Sequence, residues 1–352
     1  MNEANNRLLL RTRRQLFKDC ALGMGTLALA GLLPRGAFAG EPPRGPMAPK
    51  VPHFAPKAKR VIYLFMNGAP SQLDLFDDKP FLRAHDREAI PEEFTKGERF
   101  AFIRGTPKLL ASPYKFAKHG ACGAEISELL PHTATIADEI AIVKSLQTDQ
   151  FNHAPAELFI NSGHARIGRA SMGSWVTYGL GSECSDLPGF VVLLSGGGQP
   201  SGGHSCWSSG FLPTLYQGVQ FRSAKDPVLF VNDPPGMSRD SRRAAVEAIA
   251  DLNRVRLGAV GDPEIATRIA SFEMAYRMQS SVPDLTDLSK EDPKSLEAYG
   301  AEAGKPSFAM NCVLARRMIE RGVRFVQLYH RGWDSHGTSP GDDIVTSLKD
   351  RC

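Results

Sequence analysis

The fold class is inferred from residues 61–70, VIYLFMNGAP. The apolar run at 61–66 shows no alternation with polar residues, which is typical of a strand buried on both faces of a parallel sheet. The strand is expected to end at NGAP, where glycine and proline favour a turn. Open α/β sheets place their functional groups on loops after the carboxyl ends of strands. This turn is therefore the first candidate for a functional site.

Strand and helix patterns alternate along the rest of the chain, which favours a mainly parallel sheet. Further strands are predicted at residues 140–145, 189–194 and 323–330, and helices at 130–137, 172–180, 239–251, 263–278 and 308–320. Ser307 is the expected N-cap of the last helix, and Gly322 its left-handed stop. The stretch of about 238–300 is interpreted as a helical insertion in one domain over 60–352, preceded by a proline-rich linker at 40–59.

Residues 1–39 have the organisation of an export signal. The pair Arg13-Arg14 precedes a mainly apolar run at 20–33, and the small residues Ala37 and Ala39 follow it. Paired arginines are typical of the twin-arginine route, which exports folded proteins. Because the run is shorter than the roughly 20 residues that span a bilayer, a cleaved leader is preferred over a retained anchor. We therefore predict a periplasmic or extracellular protein with no stable membrane span after cleavage.

The charge distribution argues against nucleic acid as a partner. The formal net charge is +4, and residues 1–39 contain six basic and two acidic side chains, so the remaining chain has no net charge. No basic block is left to neutralise a phosphate backbone. The cysteines fit no zinc-ribbon or CxxC spacing. Cys184 and Cys206 are the nearest pair for a disulfide, but isolated buried thiols are the preferred interpretation.

The strongest candidate site is residues 330–337, HRGWDSHG, directly after a predicted strand. His330, Asp334 and His336 offer the nitrogen and oxygen donors that zinc and similar divalent ions prefer. In an extended backbone Asp334 and His336 point to the same side. The alternative is a polar loop in which the aspartate caps a turn and the histidines are solvated.

A second candidate follows the first strand. Gly68 allows close approach of backbone, and Ser71 and Asp74 supply oxygen donors. The alternative is a turn followed by an N-capped helix.

The third candidate lies at a predicted loop-to-helix junction, where Asn152 and His153 are followed by His164, Arg166 and Arg169. Free N–H groups at a helix start favour an anion, and arginines bind phosphate or sulfate through two hydrogen bonds. The alternative is that the histidines are structural. The glycine-rich run at 195–203 is interpreted as a flexible surface loop in preference to a cleft wall.

These segments resemble the secreted bacterial family known as domain of unknown function 1501, which is often labelled sulfatase-like. The resemblance is carried by residues 65–80 (FMNGAPSQLDLFDDKP), 152–181 (NHAPAELFINSGHARIGRASMGSWVTYGLG), 210–220 (GFLPTLYQGVQ) and 331–337 (RGWDSHG). The family is similar in turn to the alkaline phosphatase superfamily. The resemblance implies a three-layer, mainly parallel α/β sheet, with two divalent metals at the strand ends and transfer of phosphoryl or sulfuryl groups.

The chain departs from the sulfatase pattern at three places. It has no Cys-x-Pro-Ser-Arg motif, and His153 stands where the nucleophile is expected. The first strand ends in Asn67-Gly68, where sulfatases have an Asp-Asp metal pair. The family's later segment with a Gly-Glu-Phe-Gly-Arg run falls beyond Cys352, and residues 344–350 look like an interrupted helix. We therefore expect a C-terminally incomplete domain.

The sequence leads to two hypotheses of function. The first is a hydrolase of phosphate or sulfate esters that depends on zinc, calcium or magnesium. In this hypothesis the metal ligands are Asp334, His336, His330 and Asp74. His153, beside Asn152, is the nucleophile or acid/base, and Arg166 stabilises the anion. The residues that bind a small-molecule or glycan ester are Ser71, Gly68, His164 and Arg169. The second is a non-catalytic protein that binds sulfated glycans or a partner on the same fold.

Overall fold

The computed structural model describes residues 45–97, 105–222 and 236–336, together with Val228, Asp233, Val345, Leu348, Lys349 and Cys352. The predicted export signal and the first residues of the predicted linker lie outside the described residues, as does most of the helix start predicted at 344–350. Within the described ranges, no helix has the length and apolar composition that crossing a bilayer requires.

Four parallel strands form the main sheet, in the order β1-β6-β4-β5. They are Val61–Asn67 (β1), Phe190–Ser195 (β4), Val219–Phe221 (β5) and Phe325–Arg331 (β6). Three of these strands were predicted, whereas β5 was not. A separate antiparallel hairpin, also not predicted, is formed by Phe116–His119 (β2) and Ala124–Ser127 (β3).

Helices surround the sheet. In chain order they are Gln72–Leu75 (α1), Pro80–Ala84 (α2), Pro131–Ala134 (α3), His153–Ser162 (α4), Met172–Leu180 (α5), Arg239–Val260 (α6), Pro263–Thr286 (α7), Pro293–Tyr299 (α8) and Phe308–Glu320 (α9). The bounds of α5 are those predicted. Ser307 caps α9 as predicted, because its side chain accepts a hydrogen bond from the backbone N–H of Met310 at 3.0 Å.

The central strands β4 and β6 are covered on both faces. One face, with Val191, Leu193, Val326 and Leu328, packs against Met278 and Val282 of α7 and Leu314 and Met318 of α9. The other, with Phe190, Val192, Phe325 and Tyr329, packs against Leu158 of α4 and Trp207. This arrangement confirms an α/β fold with a mainly parallel sheet between helical layers. Since α7 belongs to one of these layers, the stretch interpreted as a helical insertion contributes to the core.

The position of β1 differs from the prediction. Among the described residues it is an edge strand, paired with β6 alone. Tyr63 and Phe65 pack against the inner cluster, but Ile62 and Leu64, which point to the opposite face, are 37% and 51% exposed. The prediction of burial on both faces was wrong because a continuous apolar run carries no alternation that would mark an exposed face.

Two local predictions also need correction. Residues 140–145 form no strand. Most of their side chains are exposed, and Lys144 Nζ lies 3.6 Å from Asp77 Oδ1. The helix predicted at 130–137 is limited to α3, where Thr135 Oγ1 donates to the carbonyl of His132 at 2.7 Å, and a 3₁₀ helix follows at Ala137–Glu139.

The preferred interpretation of the cysteines is confirmed for Cys184 and Cys206, which are buried free thiols, whereas the free thiols of Cys122 and Cys352 are exposed. Burial raises the pKa of the Cys206 thiol to about 12, so it stays protonated at neutral pH.

Candidate functional site

The carboxyl ends of β1, β6 and β4 lie side by side. In the sheet register, Asn67 is the partner of Arg331, and Ser195 is the partner of His330. The loops after these strands carry three of the predicted segments, namely the turn at 67–70, the glycine-rich run from Ser195 and the segment after His330. The sheet therefore brings together stretches that are far apart in the sequence.

Gly68 fits the turn after β1 against the loop after β6. Its φ is +119°, and a Cβ at this position would lie 2.7 Å from the backbone nitrogen of Asp334. The N–H of Trp333 donates to the carbonyl of Asn67 at 3.3 Å across the same contact. Because a Cβ would collide with backbone, only glycine allows this approach. The turn thus helps to position Asp334.

Asp334 is the centre of a cluster with two imidazoles, which we call the His-Asp-His cluster. Its Oδ2 lies 3.1 Å from His153 Nε2 and 2.9 Å from His336 Nε2. His153 is the first residue of α4 and follows the N-cap Asn152, which confirms the predicted loop-to-helix junction. The side chains of His153, Asp334 and His336 are 38%, 39% and 68% exposed, so the cluster is open to solvent.

The His-Asp-His cluster contains nitrogen and oxygen donors of the kinds that divalent cations prefer. Among the described residues, no group of three or more His, Cys, Asp or Glu side chains could hold a metal ion, and this cluster is closed by its own hydrogen bonds. Ligands of tetrahedral zinc lie about 3.3 Å from one another, given zinc–ligand bonds of about 2.0 Å. The separations of 3.1 and 2.9 Å are shorter and are those of hydrogen bonds between the imidazoles and the carboxylate, so the cluster as it stands is a hydrogen-bonded group and not a metal site.

His330 lies at the neighbouring strand end. Its Nδ1 is 2.9 Å from Ser195 Oγ, and its ring packs on Phe308 with centroids 4.8 Å apart. The ring of Trp333 approaches it edge-on at 6.4 Å. The hydrogen bond between His330 and Ser195 connects the predicted metal-binding segment to the start of the glycine-rich run. This run therefore packs partly against the site.

Asp74 and Ser71 form a pair on α1. Ser71 Oγ donates to Asp74 Oδ2 at 2.5 Å, and Asp74 is only 4% exposed. Ser71 is the N-cap of α1, but its side chain bonds the carboxylate and not the helix N–H groups. Leu75 next to Asp74 packs in the same apolar cluster as Trp333, so α1 lies beside the loop that carries Asp334.

The predicted anion-binding arginines follow the other end of α4. The helix has 10 residues and so extends about 15 Å from His153 to Ser162. His164 and Arg166 come after that far end, where the N–H of Arg166 donates to His164 Nδ1 at 3.1 Å. Both are exposed, as is Arg169, whose backbone lies against Gly210. The helix therefore places His164 and Arg166 beyond the end opposite His153, while Arg169 follows further along the chain.

Two residues near the cluster were missed as site residues. Glu157 lies one turn after His153 on α4 and is 4% exposed. Its Oε2 accepts a hydrogen bond from the N–H of Gly202 at 2.7 Å, and its buried Oε1 has no partner among the described residues. Burial raises its pKa, opposed by the Gly202 hydrogen bond and by His153. The i, i+4 spacing from His153 was the available signal.

The second missed residue is Arg331, the last residue of β6. Its guanidinium lies beside Gly198, where a Cβ would be 3.0 Å from the Nη1 nitrogen. Arg331 is three residues before Asp334 in the sequence and places a positive charge at this strand end. It was missed because the motif at 330–337 was interpreted only through its aspartate and histidines.

Comparison with known proteins gives a family. Residues 58–346 match the family described as "Protein of unknown function (DUF1501)". No curated protein and no solved structure matches the chain significantly. The matched residues include the strands of the site and the loops after them, from β1 to the His-Asp-His cluster. Because the match covers most of the chain, the protein belongs to the DUF1501 family, as its motifs predicted.

Proposed function

We propose that this protein is a metal-dependent hydrolase of phosphate or sulfate esters. The observation that carries the proposal is the His-Asp-His cluster, in which two imidazole nitrogens approach one carboxylate oxygen within 3.1 Å. It lies at the carboxyl edge of a parallel sheet, where open α/β folds place their chemistry. The donor set is of the kind that zinc and related ions bind.

Each side chain of the cluster has a part in the proposed reaction. Asp334 and His336 would hold the cation, with His330 at the end of β6 and Asp74 in α1 as further donors. A bound divalent ion supplies Lewis-acid polarisation of the ester oxygen. His153 turns Nε2 towards Asp334, and a hydrogen bond donated from that nitrogen leaves Nδ1 unprotonated for proton transfer or attack. Arg331, at the strand end, is better placed than Arg166 to stabilise charge on the transferred group.

The first test is elemental analysis of the purified full-length protein, with hydrolysis of aryl phosphates and aryl sulfates measured in parallel. We expect a stoichiometric divalent metal and measurable hydrolysis. Asp334→Asn and His336→Ala should each lower metal content and activity by more than the roughly 10- to 100-fold that loss of an outer-shell partner causes, because both are proposed as direct ligands. His132→Ala, which removes an exposed histidine of α3 outside the cluster, should change neither. A wild-type protein with no stoichiometric metal and no activity on either ester class contradicts the proposal.

Non-catalytic binding of sulfated glycans is the alternative that the sequence left open. This alternative predicts that binding does not depend on a metal or on His336. Glycan binding that survives both chelation and His336→Ala, in a protein without ester hydrolysis, would favour this alternative.

We also propose export by the twin-arginine route, supported by Arg13-Arg14 and the short apolar run after them. Replacing both arginines with lysine should retain the uncleaved precursor in the cytoplasm. Cell fractionation with a C-terminal tag measures this, and equal export of the variant would overturn the assignment.

A further inference from the structure

A cavity of about 500 Å³ opens beside His153. It lies between the carboxyl end of β1, the segment 146–148 and the first turns of α4. This size lies within the roughly 300–1,000 Å³ typical of small-molecule sites. Since His153 belongs both to the cavity wall and to the His-Asp-His cluster, a group held in the cavity is adjacent to the proposed reaction centre.

The wall of the cavity is mainly apolar. Its large side chains are Phe65, Met66, Leu146, Phe159 and Ile160. Several of them are unusually exposed for apolar groups, with Leu146 at 78%, Ile160 at 51% and Phe159 at 41%. A ligand that covered them would remove apolar surface from water, which is favourable.

Polar groups occur at two places in the wall. Gln147 and Thr148 belong to the exposed segment at the rim, and His153 and Glu157 lie along α4. Glu157 is only 4% exposed, its Oε1 is buried and its Oε2 accepts a hydrogen bond from Gly202, so its carboxylate adds little accessible polar surface to the cavity. His153 is therefore the polar group on the side of the cluster, and the walls are otherwise mainly apolar.

This distribution selects against a sugar. The hydroxyl groups of a glycan would face Phe65, Met66 and Ile160 without hydrogen-bond partners, and burying an unpaired hydroxyl is unfavourable. An aryl or alkyl group has no such groups to satisfy.

We infer that the cavity binds the hydrophobic alcohol part of the ester, so that the substrate is an aryl or alkyl phosphate or sulfate and not a sugar ester. The inference rests on the proposed function. The ester oxygen lies beside His153, and the transferred group faces Asp334. Leu146, Phe159 and Ile160 then determine substrate specificity.

The binding test uses 1-naphthol, which has the apolar group but no ester, with the full-length protein and isothermal titration calorimetry. Wild type should bind it, and Ile160→Ser should weaken binding roughly tenfold, the scale of a lost apolar contact in a specificity pocket. Ile167→Ser is the matched control, because Ile167 is 75% exposed and lies outside the cavity wall. No binding to wild type, or equal binding to Ile160→Ser, overturns the inference whatever the hydrolytic activity.

The kinetic test compares 1-naphthyl phosphate and sulfate with glucose 6-phosphate and glucosamine 6-sulfate. The naphthyl esters should be preferred in kcat/KM, and Ile160→Ser should reduce that preference mainly by raising KM. Equal turnover of sugar esters overturns the inference while the hydrolase proposal stands. A third outcome is that naphthol binding depends on Ile160 but no ester is hydrolysed. This outcome overturns the hydrolase proposal, and the group bound in the cavity is then not part of a substrate.

Discussion

Gly68 connects the turn after β1 to the position of Asp334. Gly68→Ala should lower both the free energy of unfolding and the metal content, because the new Cβ would lie 2.7 Å from the Asp334 nitrogen in a backbone with φ of +119°. The unfavourable φ alone costs about 1–3 kcal/mol. Chemical denaturation and elemental analysis measure the two effects.

The control for this substitution is Gly97→Ala. Gly97 also has a positive φ, +85°, but nothing lies within 4 Å of its Cβ position. It should therefore show the backbone cost without loss of metal. If both variants lose the same stability and keep the same metal content, the close approach of Gly68 does not position Asp334.

Glu157 should make stability depend on pH. Burial raises its pKa above the ordinary value of 4.5, so the folded protein binds a proton more tightly than the unfolded chain. The stabilising contribution is complete below that ordinary value and is lost as pH rises through the higher folded-state pKa. Glu157→Gln removes the titration, so its free energy of unfolding relative to wild type should increase from pH 4 to pH 7.

Urea denaturation at several pH values measures this difference. Glu125→Gln, at an exposed position of β3, is the control and should follow wild type. A difference between Glu157→Gln and wild type that is constant with pH, or that decreases as pH rises, would show that burial does not favour the protonated carboxyl.

The secondary-structure elements differ in how far the sequence predicted them. β4, β6 and α9 were predicted because their sequence patterns match their surroundings. β4 and β6 are mainly apolar strands covered on both faces, and α9 is a helix with a serine cap. β1 has the same apolar pattern, but its neighbours in the sheet decide its exposure, and the sequence of one strand does not contain that information. Each strand of the antiparallel hairpin of β2 and β3 has only four residues, so no periodicity marked it.

The candidate site was predicted only in part, because some of its contacts depend on residues far apart in the sequence. Asp334 and His336 are neighbours in sequence, and His153 begins a helix after a loop, so a common sheet edge was enough to bring them together. The distance of Arg166 from His153 depends on the length of α4, which the prediction did not use. Glu157 was missed because its role depends on Gly202, 45 residues away.

The cap of α9 gives a prediction about stability. Ser307→Ala should lower the free energy of unfolding by about 1 kcal/mol, because the N–H of Met310 loses its acceptor. The effect should be global, since α9 packs on both central strands through Leu314 and Met318. Ser145→Ala, in an exposed turn, is the control. Equal stability of the two variants in urea denaturation would show that the cap contributes nothing.

The molecule as a whole has an asymmetric sheet. β4 and β6 are enclosed by helices, whereas the outer face of β1 exposes Ile62 and Leu64. In the part of the chain that the structure describes, the free backbone edge of this strand has no neighbouring strand. Exposed apolar edge strands pair with other chains unless charge or covering segments prevent it.

We therefore expect the protein to self-associate through β1 as its concentration is raised. Leu64→Lys should reduce this association, because a charged side chain on an edge strand opposes strand addition. Its effect on the free energy of unfolding should be small, since Leu64 is 51% exposed. Sedimentation velocity over a concentration series measures the change, and Leu252→Lys, at a position of α6 that is 73% exposed, is the matched control. If Leu64→Lys associates as wild type does while Leu252→Lys does not, the contact lies on the helical surface and β1 is not the interface.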